Sequence, residues 1–301
     1  MADAHTWVIA GGRELDLSQP VVMAVLNVTP DSFSDGRGEL PTTQAVLDRA
    51  AAAIADGAAL LDVGGESTRP GAERIDADEQ IRRVIPAVRA LAARWPDVPI
   101  SIDTTVARVA EAAVAAGAAI VNDVSGGRED PAMLRTIATL GVGCILMHRE
   151  RPPDQDRYSD RYSDGNNAPP VAGDIVEHVR AELHRIDRAA GAAGVDRLAV
   201  VLDPGLGFGK TVEQNLELIR RTGELRLLGR PILSGASRKS FLGRAGLERD
   251  SDPSERLGAS VAATVLHYRT GARLFRVHDV AAHAQALRLA HQLGPSTPEN
   301  P

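Results

Sequence analysis

The feature that most constrains the fold is an eightfold alternation of short apolar runs with longer, alanine-rich segments of helical spacing. The short runs, predicted as strands, are Val21–Leu26, Leu60–Val63, Ile100–Ile102, Ile120–Val121, Cys144–Met147, Leu198–Leu202, Ile232–Leu233 and Arg273–Val277. The predicted helices span 43–56, 77–94, 105–116, 130–140, 173–193, 212–228, 253–270 and 279–293. Because the runs are apolar on both faces, they favour a parallel sheet covered by helices. Eight consecutive βα units predict an α/β protein, a (β/α)₈ (TIM) barrel.

The chain of 301 residues is long enough for such a barrel, which typically needs about 250. A doubly wound open sheet is the alternative, although no Gly-x-Gly-x-x-Gly follows the first strand to favour it. We expect residues 1–19 to form a hairpin cap that turns at Gly11-Gly12, residues 20–294 the barrel, and residues 295–301 a disordered tail.

Charge and composition argue against several classes of partner. The formal charge of −6, with no basic run, argues against a nucleic-acid surface. No apolar stretch approaches the roughly 18 residues of a membrane span, and the N-terminus does not resemble a signal peptide. The single cysteine, Cys144, excludes an internal disulfide and agrees with a reducing cytoplasm.

Polar side chains follow the predicted strands, where a barrel places its active site. The residues at these strand ends are Asn27, Asp62, Asp103, Asn122, Asp123, His148, Asp203, Ser237, Arg238, Lys239, Arg276, His278 and Asp279. Each acidic or amide residue taken alone is more often a helix N-cap than a ligand contact. Eight strands that all end in polar groups nevertheless predict one shared site.

The stretch Leu202–Thr211 is the expected centre of that site, because Asp203 ends a strand and a glycine-rich loop follows. Its closing Gly-Lys-Thr resembles a P-loop, but Pro204 stands where that motif needs its first glycine. The only lysines among 34 basic residues are Lys210 and Lys239, both in such loops. Because ammonium and guanidinium groups are not interchangeable, both are expected to be needed as lysines.

Three loops differ in composition from the rest of the chain. Residues 27–38 and 64–71 are polar and rich in glycine or proline, and they are candidate mobile lids. The segment 149–173 contains a tandem Arg-Tyr-Ser-Asp and is expected to be solvated and partly disordered.

Seven short motifs follow one another along the chain. They are Asn-Val-Thr-Pro-Asp-Ser-Phe at 27–33, Asp-Val-Gly-Gly-Glu-Ser-Thr-Arg-Pro-Gly at 62–71, Ser-Ile-Asp-Thr at 101–104, Asn-Asp-Val-Ser-Gly at 122–126, Leu202–Thr211, Ser-Arg-Lys-Ser at 237–240 and Arg-Val-His-Asp at 276–279. Any one motif is weak, but seven in order are very specific. Between about residues 20 and 293 the chain therefore resembles the dihydropteroate synthase family.

This resemblance implies a transferase of folate biosynthesis. It would condense 6-hydroxymethyl-7,8-dihydropterin diphosphate with 4-aminobenzoate to give 7,8-dihydropteroate and pyrophosphate. Family members use Mg²⁺, usually form homodimers and are sulfonamide targets. The implied mechanism is dissociative: pyrophosphate leaves first, and the arylamine traps a pterin carbocation.

The resemblance also assigns roles to residues. Those implied for the pterin are Asp103, Asn122, Met147, Asp203, Gly235 and Lys239. Those implied for pyrophosphate are Asn27, Thr68, Arg69, Arg276 and His278, with Asn27 also a Mg²⁺ ligand. The aminobenzoate would contact Thr68, Pro70, Phe208, Lys239 and Ser240, and the implied catalytic residues are Phe33, Asp35, Arg69 and Lys239.

The chain departs from the family pattern after the fifth strand, where Met-His-Met-x-Gly is usual. Here the sequence is Met147-His148-Arg149-Glu150-Arg151, which puts the packing of this loop in question. Two other function classes stay open: a pterin-binding barrel without synthase activity, and a sugar-phosphate isomerase or aldolase. The aminobenzoate residues argue against the first, and Lys239 alone gives little support to the second.

Overall fold

The computed structural model describes residues 5–29, 40–162 and 171–294. The chain opens with an antiparallel hairpin of β1 (Thr6–Ile9) and β2 (Arg13–Asp16). Gly11 and Gly12 both have positive φ at its turn, as the sequence predicts. The tail at 295–301 lies outside the described residues.

Eight parallel strands follow the hairpin. They are β3 (Val21–Asn27), β4 (Leu60–Gly64), β5 (Ile100–Asp103), β6 (Ile120–Asp123), β7 (Gly143–Met147), β8 (Val200–Asp203), β9 (Leu233–Ser234) and β10 (Leu274–Val277). Their order in the sheet is β8-β7-β6-β5-β4-β3-β10-β9. A bridge between Leu202 and Ile232 joins the two ends of this order. The sheet is therefore a closed barrel, and the open-sheet alternative is wrong.

Helices cover the outside of the barrel. They are α1 (Thr43–Ala55), α2 (Ala77–Arg94), α3 (Ala107–Ala115), α4 (Met133–Leu140), α5 (Ile175–Ala192), α6 (Val212–Arg220), α7 (Thr222–Leu225), α8 (Ser240–Leu247), α9 (Leu257–Thr270) and α10 (Val280–Gln292). Side-chain caps explain several helix starts: Thr42, Asp76 and Asp174 each accept a backbone N–H of the first turn. Among the described helices, no segment is both long and apolar enough to cross a bilayer.

The hairpin covers the N-terminal end of the barrel. Trp7, Ile9 and Leu17 are fully buried against the first residues of the strands, including Met23 and Leu274. The Trp7 indole Nε1 donates to the carbonyl of Ala199 at 2.9 Å, which satisfies its one polar atom. With this end plugged by side chains, the opposite mouth is the open end.

Several predicted boundaries are wrong. Leu198 and Ala199, expected to begin a strand, belong to a 3₁₀ turn at Arg197–Ala199, and the strand starts at Val200. The predicted helix 212–228 is divided between α6, α7 and a 3₁₀ turn at Arg226–Leu228. The short helix α8 falls in a segment for which no helix was predicted.

Candidate active site

The floor of the mouth is a buried charge network from four strands. The Arg276 guanidinium, on β10, donates from Nε to Asp62 at 2.6 Å and from Nη2 to Asp103 at 2.8 Å. The Asn122 amide donates to the same Asp62 oxygen at 3.2 Å. Within the described part of the chain, the Oδ1 atoms of Asp62 and Asp103 are buried without a hydrogen-bond partner. Such orphaned acceptors fit a ligand that brings N–H donors.

Burial and pairing act in opposite directions on this network. Burial raises the pKa of Asp103, and Arg276 opposes that shift. Burial alone would lower the pKa of Arg276, but the carboxylates of Asp62 and Asp103 hold it above its ordinary value. Arg276 therefore stays charged, and it lies between the acidic floor and the outer part of the mouth.

Asp203 ends β8 with its carboxylate in the mouth. Its Oδ1 accepts the Gly205 N–H at 2.7 Å, and its Oδ2 lies 3.6 Å from where a Cβ on Gly235 would stand. Burial raises the pKa of Asp203. The helix-cap alternative is wrong for this residue, because Thr211 caps α6 in a capping box with Gln214.

Gly205 allows the chain to turn directly after Asp203. Its φ is +68°, and an added Cβ would stand 1.8 Å from the His148 carbonyl oxygen, so only glycine fits. The His148 N–H in turn donates to the Asp203 carbonyl at 3.0 Å. The loops after β7 and β8 are thereby locked together beside the Asp203 carboxylate.

The two lysines have different surroundings. Lys210 is fully buried, and its Nζ donates to the carbonyls of Gly205 and Phe208, both at 2.9 Å. The Lys239 Nζ lies 3.9 Å from the centre of the Phe208 ring, a cation–π contact. Burial lowers the pKa of Lys210 to about 7 and that of Lys239 to about 8. Lys210 holds the loop together, whereas Lys239 faces the mouth.

Apolar side chains give the mouth a flat wall. Met147, Val124 and Phe208 form a small buried cluster of their own, beside the Lys239 ammonium. An aromatic ligand can stack on such a surface while polar groups contact its edge.

The outer part of the mouth is rich in cations and hydroxyls. The predicted residues that line it together are Asn27, Thr68, Arg69, Pro70, Lys239, Ser240, Arg276 and His278. His278 Nδ1 lies 3.2 Å from the Ser237 hydroxyl, and burial, with Arg276 nearby, lowers its pKa to about 3. His278 is therefore a neutral hydrogen-bonding group at neutral pH.

Two further arginines shape this rim: Arg238, which the sequence analysis placed at a strand end without a specific role, and Arg256, which it did not assign to the site. Arg238, at a φ of +62°, makes a bidentate pair with Asp279 at 2.9 and 2.5 Å. Arg256 donates to the Arg238 carbonyl at 2.8 Å and lines the same pocket. These contacts fix the loop that carries Lys239 and Ser240, and Ser240 begins α8 with its free N–H groups. Arg256 follows α8 in sequence, and no local pattern marks it.

Arg149, the residue that departs from the family pattern, is buried and pairs with Glu129, which also pairs with Arg74. Arg128 donates to the Arg149 carbonyl. The Arg149 guanidinium is thus paired with a carboxylate and brings no unpaired charge to the flat wall.

The segment 149–173 was expected to be solvated, and several of its described side chains, such as Arg157 and Tyr158, are exposed, but others are buried and anchor it against the site. Asp156 is buried and accepts the Gly209 N–H at 2.9 Å and the Tyr162 hydroxyl at 2.5 Å. Ser159 is buried as well and accepts from Asn215 at 3.1 Å. Phe33 and Asp35 lie outside the described residues, so their predicted roles stay predictions.

An oxygen donor suitable for Mg²⁺ is present beside the cationic rim. Asn27 Oδ1 lies 3.5 Å from where a Cβ on Gly64 would stand, whereas the nearby Asp103 Oδ2 already accepts from Arg276. Mg²⁺ usually takes one or two protein oxygens and completes its shell with water and phosphate, so Asn27 fits it. Elsewhere in the described chain, His148, Glu150 and His178 form a group of possible metal ligands.

Comparison with known proteins agrees with this geometry. A family model described as pterin binding enzyme matches residues 23–278. The chain is 46% identical over 287 residues to a dihydropteroate synthase of Mycobacterium leprae, covering 91% of this chain and 94% of that protein. It is 43% identical over 263 residues to the folic acid synthesis protein fol1 of Pneumocystis carinii, covering 86% of this chain but only 34% of that protein. A structure of Xanthomonas albilineans dihydropteroate synthase with 4-aminobenzoic acid matches with a TM-score of 0.84 and 40% identity, covering 97% of this chain and 100% of that one.

The closed barrel, the buried acceptors at its mouth and the family match together define a pterin-binding barrel enzyme. Sequence identities above 40% to curated proteins of folate synthesis, over most of this chain, identify the family within that class. The chain belongs to the dihydropteroate synthase family.

Proposed function

We propose that this protein joins 6-hydroxymethyl-7,8-dihydropterin diphosphate to 4-aminobenzoate, releasing pyrophosphate and 7,8-dihydropteroate. The observation that carries the proposal is the mouth itself, where buried acceptors lie beside a rim of cations. A pterin presents several N–H donors on one edge, and a diphosphate is an anion. The two halves of the mouth therefore match the two halves of one substrate.

The pterin binds on the floor and flat wall. Asp203 Oδ2 and the free oxygen of Asp103 accept its N–H groups, and Asn122 hydrogen-bonds the same edge. Lys239 donates to the pterin carbonyl and ring nitrogen, while Met147 contacts the ring face. Gly235 leaves room for the ring edge above Asp203.

The diphosphate binds at the rim. Arg69 and Arg276 supply charge, and Thr68, Asn27 and the neutral His278 supply hydrogen bonds. Bound Mg²⁺, held by Asn27, would neutralise part of the diphosphate charge. Charge neutralisation by these side chains favours departure of pyrophosphate.

The aminobenzoate binds beside the pterin, between Pro70, Phe208 and Lys239, with its carboxylate at Ser240 and the start of α8. Its amine is then positioned to attack the carbon that pyrophosphate has left. The X. albilineans relative was solved with 4-aminobenzoic acid, which supports this second site. Sulfonamides, which resemble aminobenzoate, are expected to compete there.

We also propose a homodimer in the cytoplasm. Leu266 on α9, Leu289 on α10 and Leu293 just after α10 are large apolar side chains that are mostly exposed, and exposed apolar residues favour an interface when they form a patch. The free thiol of Cys144 agrees with a reducing compartment.

The test is formation of 7,8-dihydropteroate, identified by mass spectrometry, together with release of pyrophosphate. Both products should appear only when both substrates and Mg²⁺ are present. A protein that binds the pterin diphosphate but never forms dihydropteroate would instead be a pterin-binding barrel without synthase activity. Conversion of a sugar phosphate would favour the isomerase or aldolase class.

A further inference from the structure

His148, Glu150 and His178 form a cluster outside the substrate pocket that the proposed reaction does not use. His148 and Glu150 follow β7, and His178 lies in the first turns of α5. The Glu150 Oε1 atom is 2.8 Å from His148 Nε2 and 2.6 Å from His178 Nε2. One potential ligand atom from each residue lies within 4.8 Å of the others. The two imidazole rings meet edge to face, with centres 5.6 Å apart.

The donor set is typical of zinc. Two imidazole nitrogens and one carboxylate oxygen suit Zn²⁺, whereas Mg²⁺ prefers oxygen ligands alone. Tetrahedral zinc with bonds of about 2.1 Å holds its ligand atoms about 3.4 Å apart. To reach this spacing, the distance from Glu150 Oε1 to each Nε2 atom would have to increase by less than 1 Å. Glu150 and His178 are partly exposed, with 23% and 34% of their side chains accessible, so an ion can reach them.

Metal binding leaves no additional buried group without a partner. In the metal-free arrangement both Nε2 atoms donate to one carboxylate oxygen, and His148 Nδ1 has no partner within the described chain. If a metal takes the Nε2 position, the remaining proton moves to Nδ1, which has the same surroundings as before. Arg128 and Lys210 are close enough to act on His148, so the site should bind zinc less tightly than one without neighbouring cations.

We propose that His148, Glu150 and His178 form a zinc site that fastens the loop after β7 to α5. Its three protein ligands leave a fourth position for water. The His148 N–H holds the Asp203 carbonyl, so the clamp would steady the strand end that carries the proposed pterin contact. The proposed Mg²⁺ position at Asn27 has a different donor set, and the two sites do not depend on each other.

The experiment measures zinc binding by the full chain after treatment with a chelator. Zn²⁺ is added back, excess ion is removed by dialysis, and bound zinc is measured per chain together with the melting temperature. Co²⁺ is used as a second probe, because tetrahedral coordination gives it visible absorption bands. The variants are Glu150→Gln and His178→Gln, and the matched control is His184→Gln, an exposed histidine on the same helix.

Wild type and His184→Gln should retain one zinc per chain and melt at a higher temperature with zinc than without. Glu150→Gln and His178→Gln should bind at least tenfold more weakly and lose the stabilisation by zinc. Melting curves without metal show whether each variant folds, and His178→Gln changes only a partly exposed helix residue. Absence of stoichiometric zinc in wild type, or equal binding by wild type and His178→Gln, would overturn the proposal.

Discussion

Replacement of Asp203 by asparagine is the sharpest test of the pterin assignment, because only one of the two carboxylate oxygens is used in a hydrogen bond within the protein. Oδ1 accepts the Gly205 N–H at 2.7 Å, and asparagine keeps a carbonyl oxygen for that bond. The NH₂ group then takes the place of Oδ2, which lies beside Gly235, 3.6 Å from where a Cβ there would stand. The loop should keep its conformation, while one acceptor for the ligand becomes a donor.

The expected loss follows from the burial of this position. Asp203 is only 6% exposed, so a pterin N–H opposite the new NH₂ group cannot form a hydrogen bond to water instead. Leaving a buried donor unsatisfied costs about 1–3 kcal/mol, more where charge is involved, so affinity should fall roughly 5- to 150-fold. Calorimetric titration with a pterin, alongside a melting curve, measures both consequences.

Asp196→Asn is the matched control. Its Oδ1 accepts the N–H of Leu198, two residues on, at 2.8 Å, which is the same local bond as at Asp203, but the side chain is exposed near the start of β8. This variant should leave pterin affinity unchanged. Unchanged affinity in Asp203→Asn as well, with both variants folded, would refute the assignment of Asp203 to the pterin.

Three further predictions concern other parts of the network. Gly235→Ala should fold normally, because its Cβ meets Asp203 Oδ2 at an ordinary 3.6 Å, yet pterin titration should show weaker binding; an affinity equal to wild type would place the ring elsewhere. Arg276→Ala leaves two buried carboxylates unpaired and should lower the free energy of unfolding by about 3–5 kcal/mol in denaturant titrations; a loss below 1 kcal/mol would mean that the pairs contribute little. Burial lowers the pKa of His267 to about 3, so the unfolded chain binds more protons between about pH 6.5 and 3, and stability falls as pH falls through that window. Between pH 7 and pH 5, the free energy of unfolding of His267→Gln should therefore fall by about 2 kcal/mol less than that of wild type, as measured by denaturant titration at each pH. Identical pH profiles of stability would show that His267 is not buried in its neutral form.

The barrel was predictable because its signal is local and repeated. Each apolar run and each helical segment can be recognised from a few consecutive residues, and the glycines and caps mark their ends. The polar strand ends were predictable for the same reason, since a closed barrel brings all of them to one mouth. Short or divided elements were harder to predict. Helix α8 follows directly after the Lys239 loop, and its eight residues are too few to show a clear hydrophobic period.

Contacts between distant segments could not be predicted. The sequence places Asp62 and Arg276 at strand ends, but their ion pair spans 214 residues and depends on the register of β10, β3 and β4. The partner of Arg149 was equally hidden, because Glu129 lies in the loop after another strand. His178 looks like an ordinary helix residue until the fold brings it to Glu150, 28 residues away in sequence.

The most direct test of the central claim is a crystal structure of this protein with 6-hydroxymethyl-7,8-dihydropterin diphosphate. The ring should lie between Met147 and Lys239, with its 2-amino group and N3–H about 2.7–3.2 Å from the Asp203 carboxylate. The diphosphate should contact Arg69 and His278 at the rim. A pterin bound outside the mouth, or one whose N–H edge points away from Asp203, would contradict the account.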